Sequence, residues 1–176
     1  MTTDVTSLLS AGVKLPRVEL SATDGAHYDL SALSGITVVY GYPRTSPPNA
    51  KPLPGWDDIP GARGCTPQSC AFRDHYDDLK NLGVANVFGL SVQDSAYQSE
   101  VVERLHLPFA LLSDENLTLA RSLGLQTFTA GGMELLQRIT LIVRDGVLAH
   151  VMFPVREPEQ NAADVVAWLK RYGSGL

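Results

Sequence analysis

The only two cysteines of the chain, Cys65 and Cys70, lie five residues apart in the run Pro60-Gly61-Ala62-Arg63-Gly64-Cys65-Thr66-Pro67-Gln68-Ser69-Cys70-Ala71-Phe72-Arg73-Asp74. Thr66, Pro67 and Ser69 are helix-opening residues, and Phe72, Tyr76 and Leu79 recur at helical spacing. The pattern predicts a helix that starts at or just after Cys65 and ends near Asn81 to Gly83. A thiol in the first turn of a helix meets unpaired backbone N–H groups and the positive end of the macrodipole, which favour thiolate, the nucleophilic form of sulfur. Arg63, two residues upstream, is either a further source of positive charge or a solvated surface residue.

At about 100° per residue, Cys65 falls on the stripe of Phe72, Tyr76 and Leu79, and Cys70 points roughly 140° away. In an intact helix the two Cα atoms stand roughly 8 to 9 Å apart, beyond the approximately 7 Å that a disulfide spans without backbone movement. A static structural disulfide is therefore disfavoured, and pairing requires the first helical turn to melt. Two unrelated core cysteines and half of a metal site are the remaining alternatives to redox use. A structural zinc site needs four ligands, and His27, His75, His106 and His150 are scattered without paired spacing, so no metal is expected. The four histidines read as structural or solvated.

The elements that must position this pair follow in chain order. Residues 1–15 read as a tail or short helix, and 16–176 as a single domain. Val18-Glu19-Leu20 and His27-Tyr28 flank Asp24-Gly25, a hairpin signal, and Leu30 to Leu33 reads as a short turn. Ile36-Thr37-Val38-Val39-Tyr40 is a β-branched run suited to a strand buried on both faces. The segment from Pro43 to Cys65 is too rich in Pro and Gly for helix or ladder and is predicted to be a long loop; Trp56 within it either covers the site or anchors the loop.

Val87 to Ser91 is predicted as a second buried strand, and Ser95 to His106 as a helix ended by Pro108. Ser113 or Asp114 is expected to cap a short helix through Leu117, Ala120 and Leu123. Ile139 to Val143 and Val147 to Val151 around Asp145-Gly146 form the clearest hairpin, and Asn161 is expected to cap a last helix carrying Val165, Trp168, Leu169 and Tyr172. A β-α-β unit closed by a hairpin and a helix is the thioredoxin-like architecture: an α/β fold whose mixed central sheet is flanked by helices, here with an N-terminal β-ribbon extension.

With 176 residues, 44% hydrophobic and 19% charged, the chain is long enough to bury a core without staples. A net charge of −5 with dispersed basic residues gives no electrostatic footprint for nucleic acid or an anionic membrane. Neither a signal peptide nor a transmembrane span is expected, which places the chain in the cytoplasm. Two cysteines in such a setting point to redox or catalytic use.

Several segments carry a family resemblance: Tyr40-Gly41-Tyr42-Pro43, the run Gly64-Cys65-Thr66-x-x-x-Cys70-x-Phe72-Arg73-Asp74, Leu107-Pro108-Phe109-x-Leu111-Leu112-Ser113-Asp114, and Arg138-Ile139-Thr140-Leu141-Ile142. Together they resemble the Q subfamily of peroxiredoxins, the bacterioferritin-comigratory proteins, over nearly the whole chain from Lys14 onward. The resemblance implies a thiol-dependent peroxidase acting on hydrogen peroxide and organic hydroperoxides. Cys65 would be the peroxidatic cysteine, Cys70 the resolving cysteine on the same helix, and Arg138 the side-chain donor beside Cys65. It also implies a sulfenic acid intermediate, an intramolecular Cys65–Cys70 disulfide, a thioredoxin-type dithiol reductant, no cofactor, and a monomer or weak homodimer.

One departure stands out. The family places a Pro seven residues and a Thr or Ser three residues before the peroxidatic cysteine, where this chain has Asp58 and Ala62. Pro43 and Thr45 instead follow the strand, as though an insertion over 44–60 had split the motif, which makes Thr45 the candidate for the missing hydroxyl. Two competing functions remain: a thiol–disulfide oxidoreductase acting on protein substrates, which usually presents C-x-x-C, and a non-catalytic thioredoxin-like binding module.

Overall fold

The computed structural model describes residues 9–46, 50–51, 53–59 and 62–176. In chain order the elements are β1 (Glu19–Ala22), β2 (His27–Asp29), β3 (Ile36–Gly41), α1 (Cys65–Asp74), α2 (Tyr76–Asn81), β4 (Val84–Ser91), α3 (Ser95–Leu105), β5 (Leu111–Ser113), α4 (Thr118–Leu123), β6 (Thr127–Ala130), β7 (Met133–Leu136), β8 (Ile139–Arg144), β9 (Val147–Met152) and α5 (Asn161–Tyr172). Seven strands form one mixed sheet in the order β2-β1-β5-β4-β3-β8-β9, with β6 and β7 as a separate ribbon. The expected thioredoxin-like architecture is present.

β3 is the axis of the sheet, parallel to β4 and antiparallel to β8, and all six of its residues are buried. Side chains alternate across a strand. Val38 and Tyr40, with Tyr42 just beyond the strand, enter a core shared with α1, α2, α3 and α5, whereas Val39 enters a second core under α4. Helices thus cover both faces, and the alternation predicted from the β-branched run decides which layer each residue feeds. No helix among the described residues is long and apolar enough to cross a membrane.

The predicted cysteine helix is two consecutive pieces, α1 and α2, interrupted at His75, whose backbone leaves the helical conformation. Its buried stripe matches the expected one, with Cys65, Phe72 and Leu79 inward. Phe72 lies flat on Tyr40, ring centroids 4.4 Å apart and planes 5° from parallel, and full burial of such a side chain contributes about 1.5 to 3 kcal/mol.

Five local readings change. β5 was not foreseen, nor was the β6–β7 hairpin, whose turn residues Gly131 and Gly132 both have positive φ. Neither Ser113 nor Asp114 holds the cap position of α4, which is Leu117; Ser113 belongs to β5, while the Asp114 carboxylate accepts from the first-turn N–H groups of Leu119 and Ala120. Asn161 does not cap α5; Gln160 holds the cap position, and the Asn161 side chain turns into the core. Of the N-terminal stretch, residues 9–15 run beside β9, Gly12 N–H donating to Leu148 O and Leu148 N–H to Val13 O, both at 2.8 Å, with Leu9 and Leu15 buried. Residues 1–8 lie outside the described residues, as do Pro47, Pro48, Pro52, Pro60 and Gly61 of the Pro-rich loop.

Candidate active site

Cys65 opens α1 and is only 6% exposed. The residue before it, Gly64, has φ +104°, a conformation that favours glycine, and a Cβ there would stand 2.6 Å from Pro158 Cγ. Two constraints therefore converge on one glycine: the turn that presents the thiol, and the close approach of the 3-10 turn at Pro158–Gln160 that leads into α5. Gly64→Ala should destabilise the protein by roughly 2 to 5 kcal/mol, the sum of left-handed strain and overpacking. Urea unfolding checks this, and an unchanged midpoint would contradict it.

Arg138 lies immediately before β8 and is 3% exposed. Its Nη2 donates to Cys65 Sγ at 3.3 Å and to Arg63 O at 2.9 Å, with Ala62 O at 3.4 Å, while Nη1 donates to Gln68 Oε1 at 2.5 Å. One planar fork therefore holds the sulfur, the main chain in front of it and the first turn of the helix behind it. Arg63 contributes only its carbonyl, because its exposed side chain faces Asp57 at 3.4 Å.

Behind the fork lies a polar relay that the sequence reading did not single out. Gln68 Nε2 donates to Asn161 Oδ1 at 2.9 Å, and Thr140 Oγ1 donates to the same oxygen at 2.6 Å. Gln68, Thr140 and Asn161 are all buried. Buried polar groups are costly unless satisfied, so these bonds lock the Gln68 amide with its oxygen toward Arg138. The available signal was Thr140, a polar residue inside an otherwise apolar strand.

Over Cys65 lies a cavity of about 250 Å³ whose walls include Thr45, Leu53, Trp56, Ala62 and Pro67. Thr45 thus reaches the wall of the chamber that holds the thiol; it is 3% exposed, and its hydroxyl donates to Gln93 Oε1 at 3.2 Å. Trp56 both lines this cavity and leans on Phe128, ring centroids 6.2 Å apart, so it serves the site and the loop together. Tyr40 and Tyr42 sit beneath the helix, and burial pushes both phenols well above their ordinary range, leaving them neutral. Tyr40 donates to Ser69 Oγ at 3.0 Å.

Cys70 is half-buried on the same helix, and both thiols are free. Gln68 and Ser69, the residues between them that carry the contacts to Arg138, Asn161 and Tyr40, occupy the turn that would have to open for the sulfurs to meet.

The sequence model of the redoxin family matches residues 10–167. Peroxiredoxin Bcp of Escherichia coli strain K12 is 32% identical over 170 residues, covering 93% of this chain and 97% of that protein. The chloroplastic peroxiredoxin Q of Oryza sativa subsp. japonica is 32% identical over 163 residues, covering 92% of this chain and 67% of the rice protein. Among solved structures, peroxidoxin BcpB from Mycobacterium tuberculosis superposes with a TM-score of 0.74 at 22% identity, over 93% of this chain and 97% of that one. Reduced Prx3 from Vibrio vulnificus, solved in complex with hydrogen peroxide, also gives 0.74 at 22% identity, over 94% and 98%. The two solved structures agree with the fold, and the family match and sequence relatives span almost all of what surrounds Cys65: the chain belongs to the redoxin family and, within it, to the peroxiredoxins of the Q and Bcp type.

Proposed function

We propose that the chain reduces hydrogen peroxide and organic hydroperoxides at Cys65, with Arg138 as electrostatic partner and Cys70 as resolving thiol. The observation that carries this assignment is the 3.3 Å contact between the Arg138 fork and the sulfur of Cys65, a residue that lines a small cavity. The Cys65 thiolate attacks one peroxide oxygen in line, the S–O bond forms as the O–O bond breaks, and the other oxygen leaves as hydroxide or alkoxide that takes up a proton. Arg138 and the N–H groups of Cys65 and Thr66, which have no intrahelical partner at the start of α1, present positive charge where charge develops, and Thr45 supplies a hydroxyl on the cavity wall.

The Cys65 sulfenic acid then condenses with the Cys70 thiol, releasing water and forming the intramolecular disulfide, which a thioredoxin-type dithiol reduces. No cofactor is needed. The 6% exposure of Cys65 favours a small hydroperoxide over a protein disulfide as the oxidant, since a protein partner must reach the sulfur itself. A binding module has no use for a guanidinium buried against a thiol, which is costly to bury. The same reading assigns residues 16–176 to one catalytic domain, active as a monomer or weak homodimer in the cytoplasm. Mass spectrometry after one equivalent of hydrogen peroxide tests it: loss of two mass units within one chain, mapped to a Cys65–Cys70 peptide, is expected, and unmodified thiols would contradict it.

Oxidation should also be visible as motion. The disulfide requires residues 65–72 to unwind, which exposes backbone and part of the Phe72 stripe. Hydrogen exchange should accelerate there while β3 and β8 stay protected. A fully protected α1 in the oxidised protein, or a disulfide joining two chains, would remove Cys70 from its role.

A further inference from the structure

We propose that Gln93 is a positioning residue of the peroxide site, a splint that holds Thr45 on the cavity wall and so restores the hydroxyl that Ala62 does not supply. The inference rests on the peroxidase reading of Cys65. Gln93 follows β4 and makes three hydrogen bonds to one residue: its Oε1 accepts from Thr45 N at 3.0 Å and Thr45 Oγ1 at 3.2 Å, and its Nε2 donates to Thr45 O at 2.9 Å. The amide orientation is fixed by its partners, because a backbone N–H can only donate and a carbonyl can only accept. Gln93 is anchored in turn, its carbonyl accepting from Ser113 Oγ at 2.7 Å and its N–H donating to Ser91 Oγ at 3.4 Å. The ends of β4 and β5 thus fix Gln93, and Gln93 fixes Thr45.

The chemistry follows from the hydroxyl's single proton. Committed to Gln93 Oε1, it leaves the Thr45 oxygen as an acceptor toward the cavity that Cys65 shares, and an acceptor is what the O–H of a hydroperoxide requires. Thr45 then orients the O–O bond, and Gln93 acts only through Thr45. The loop that carries Thr45 leaves β3 and runs into the Pro-rich insertion, so local sequence does not hold this hydroxyl in register with α1; a side chain from a neighbouring strand end does.

The test is a double-mutant cycle on the second-order rate constant of the reduced protein with hydrogen peroxide, read by stopped flow. Gln93→Met keeps the shape and removes the splint, and should lower the constant about tenfold or more, as misplacement of an orienting group does. In a Thr45→Val background the same change should cost nothing further. Gln93→Glu, which retains the two acceptor contacts and loses the donor, should fall between Gln93→Met and the parent. Alkylation of Cys65 by iodoacetamide should stay at the parental rate in Gln93→Met, because that reaction uses no peroxide O–H and a collapsed site would slow it. An unchanged peroxide constant, an equal loss in the Thr45→Val background, or Gln93→Glu slower than Gln93→Met would overturn the proposal. A Cys65→Ser protein that consumed peroxide at the parental rate would instead overturn the assignment of the chemistry to Cys65, and a parent protein that consumed none would overturn the peroxidase reading; both outcomes are separate from intact chemistry with an indifferent Gln93.

Discussion

Cys65→Ser should abolish peroxide turnover, and Cys70→Ser should leave one reaction per chain. A serine hydroxyl fills nearly the same space at the start of α1 and keeps the helix, but it neither ionises near neutral pH nor passes through a sulfenic acid, so both the nucleophile and the redox carrier are lost. Cys70 stands outside the contacts of Arg138 with Sγ, so its replacement should leave the first oxidation at the parental rate. The sulfenic acid then has no partner, persists, and goes on to sulfinic acid with excess peroxide. Peroxide consumption under a dithiol reductant, with intact-mass analysis of both variants, separates the roles. A Cys65→Ser protein still turning over at the parental rate would transfer the chemistry elsewhere.

The parts of this site legible in the sequence are those fixed by local periodicity. The stripe of Cys65, Phe72 and Leu79 follows from helical spacing, and the burial of β3 on both faces from its β-branched run. The β8–β9 hairpin follows from Asp145-Gly146, where Asp145 and Gly146 both take positive φ. β5 escaped because three residues between a helix and a cap carry no readable alternation. The β6–β7 ribbon did leave a signal, the two-residue Gly131-Gly132 turn after the alternating Thr127-Phe128-Thr129-Ala130, but Met133-Glu134-Leu135-Leu136 on its other side does not alternate. The relay of Gln68, Thr140 and Asn161 left only the faint signal of a polar Thr140 in an apolar run, for a different reason. Its members are separated by as many as 93 residues, and each has an ordinary local explanation: a helix surface residue, a β-former and a helix cap. Only the tertiary fold, which brings α1, α5 and β8 to one point, places them together.

Arg138→Ala should slow the peroxide step by about a hundredfold or more, the scale for removing one preorganised electrostatic donor, which corresponds to about 2.7 kcal/mol of transition-state stabilisation. The fork does three things at once: it meets Sγ, it accepts orientation from Gln68, and it holds the carbonyl of Arg63 in the turn before Cys65. Alanine removes all three and leaves buried acceptors without donors. Arg138→Lys restores charge but not the fork, since an ammonium at the end of a flexible stem cannot serve Gln68 Oε1, Arg63 O and the sulfur in one plane, and should recover only part of the rate. Gln68→Met tests the orienting half alone: the charge remains, the acceptor for Nη1 disappears, and the rate should fall less than in Arg138→Ala. In an Arg138→Ala background the Gln68→Met change should be nearly silent. Stopped-flow constants that were parental for both Arg138 variants would leave Arg138 as a structural residue at a strand start and return the thiolate to the helix terminus alone.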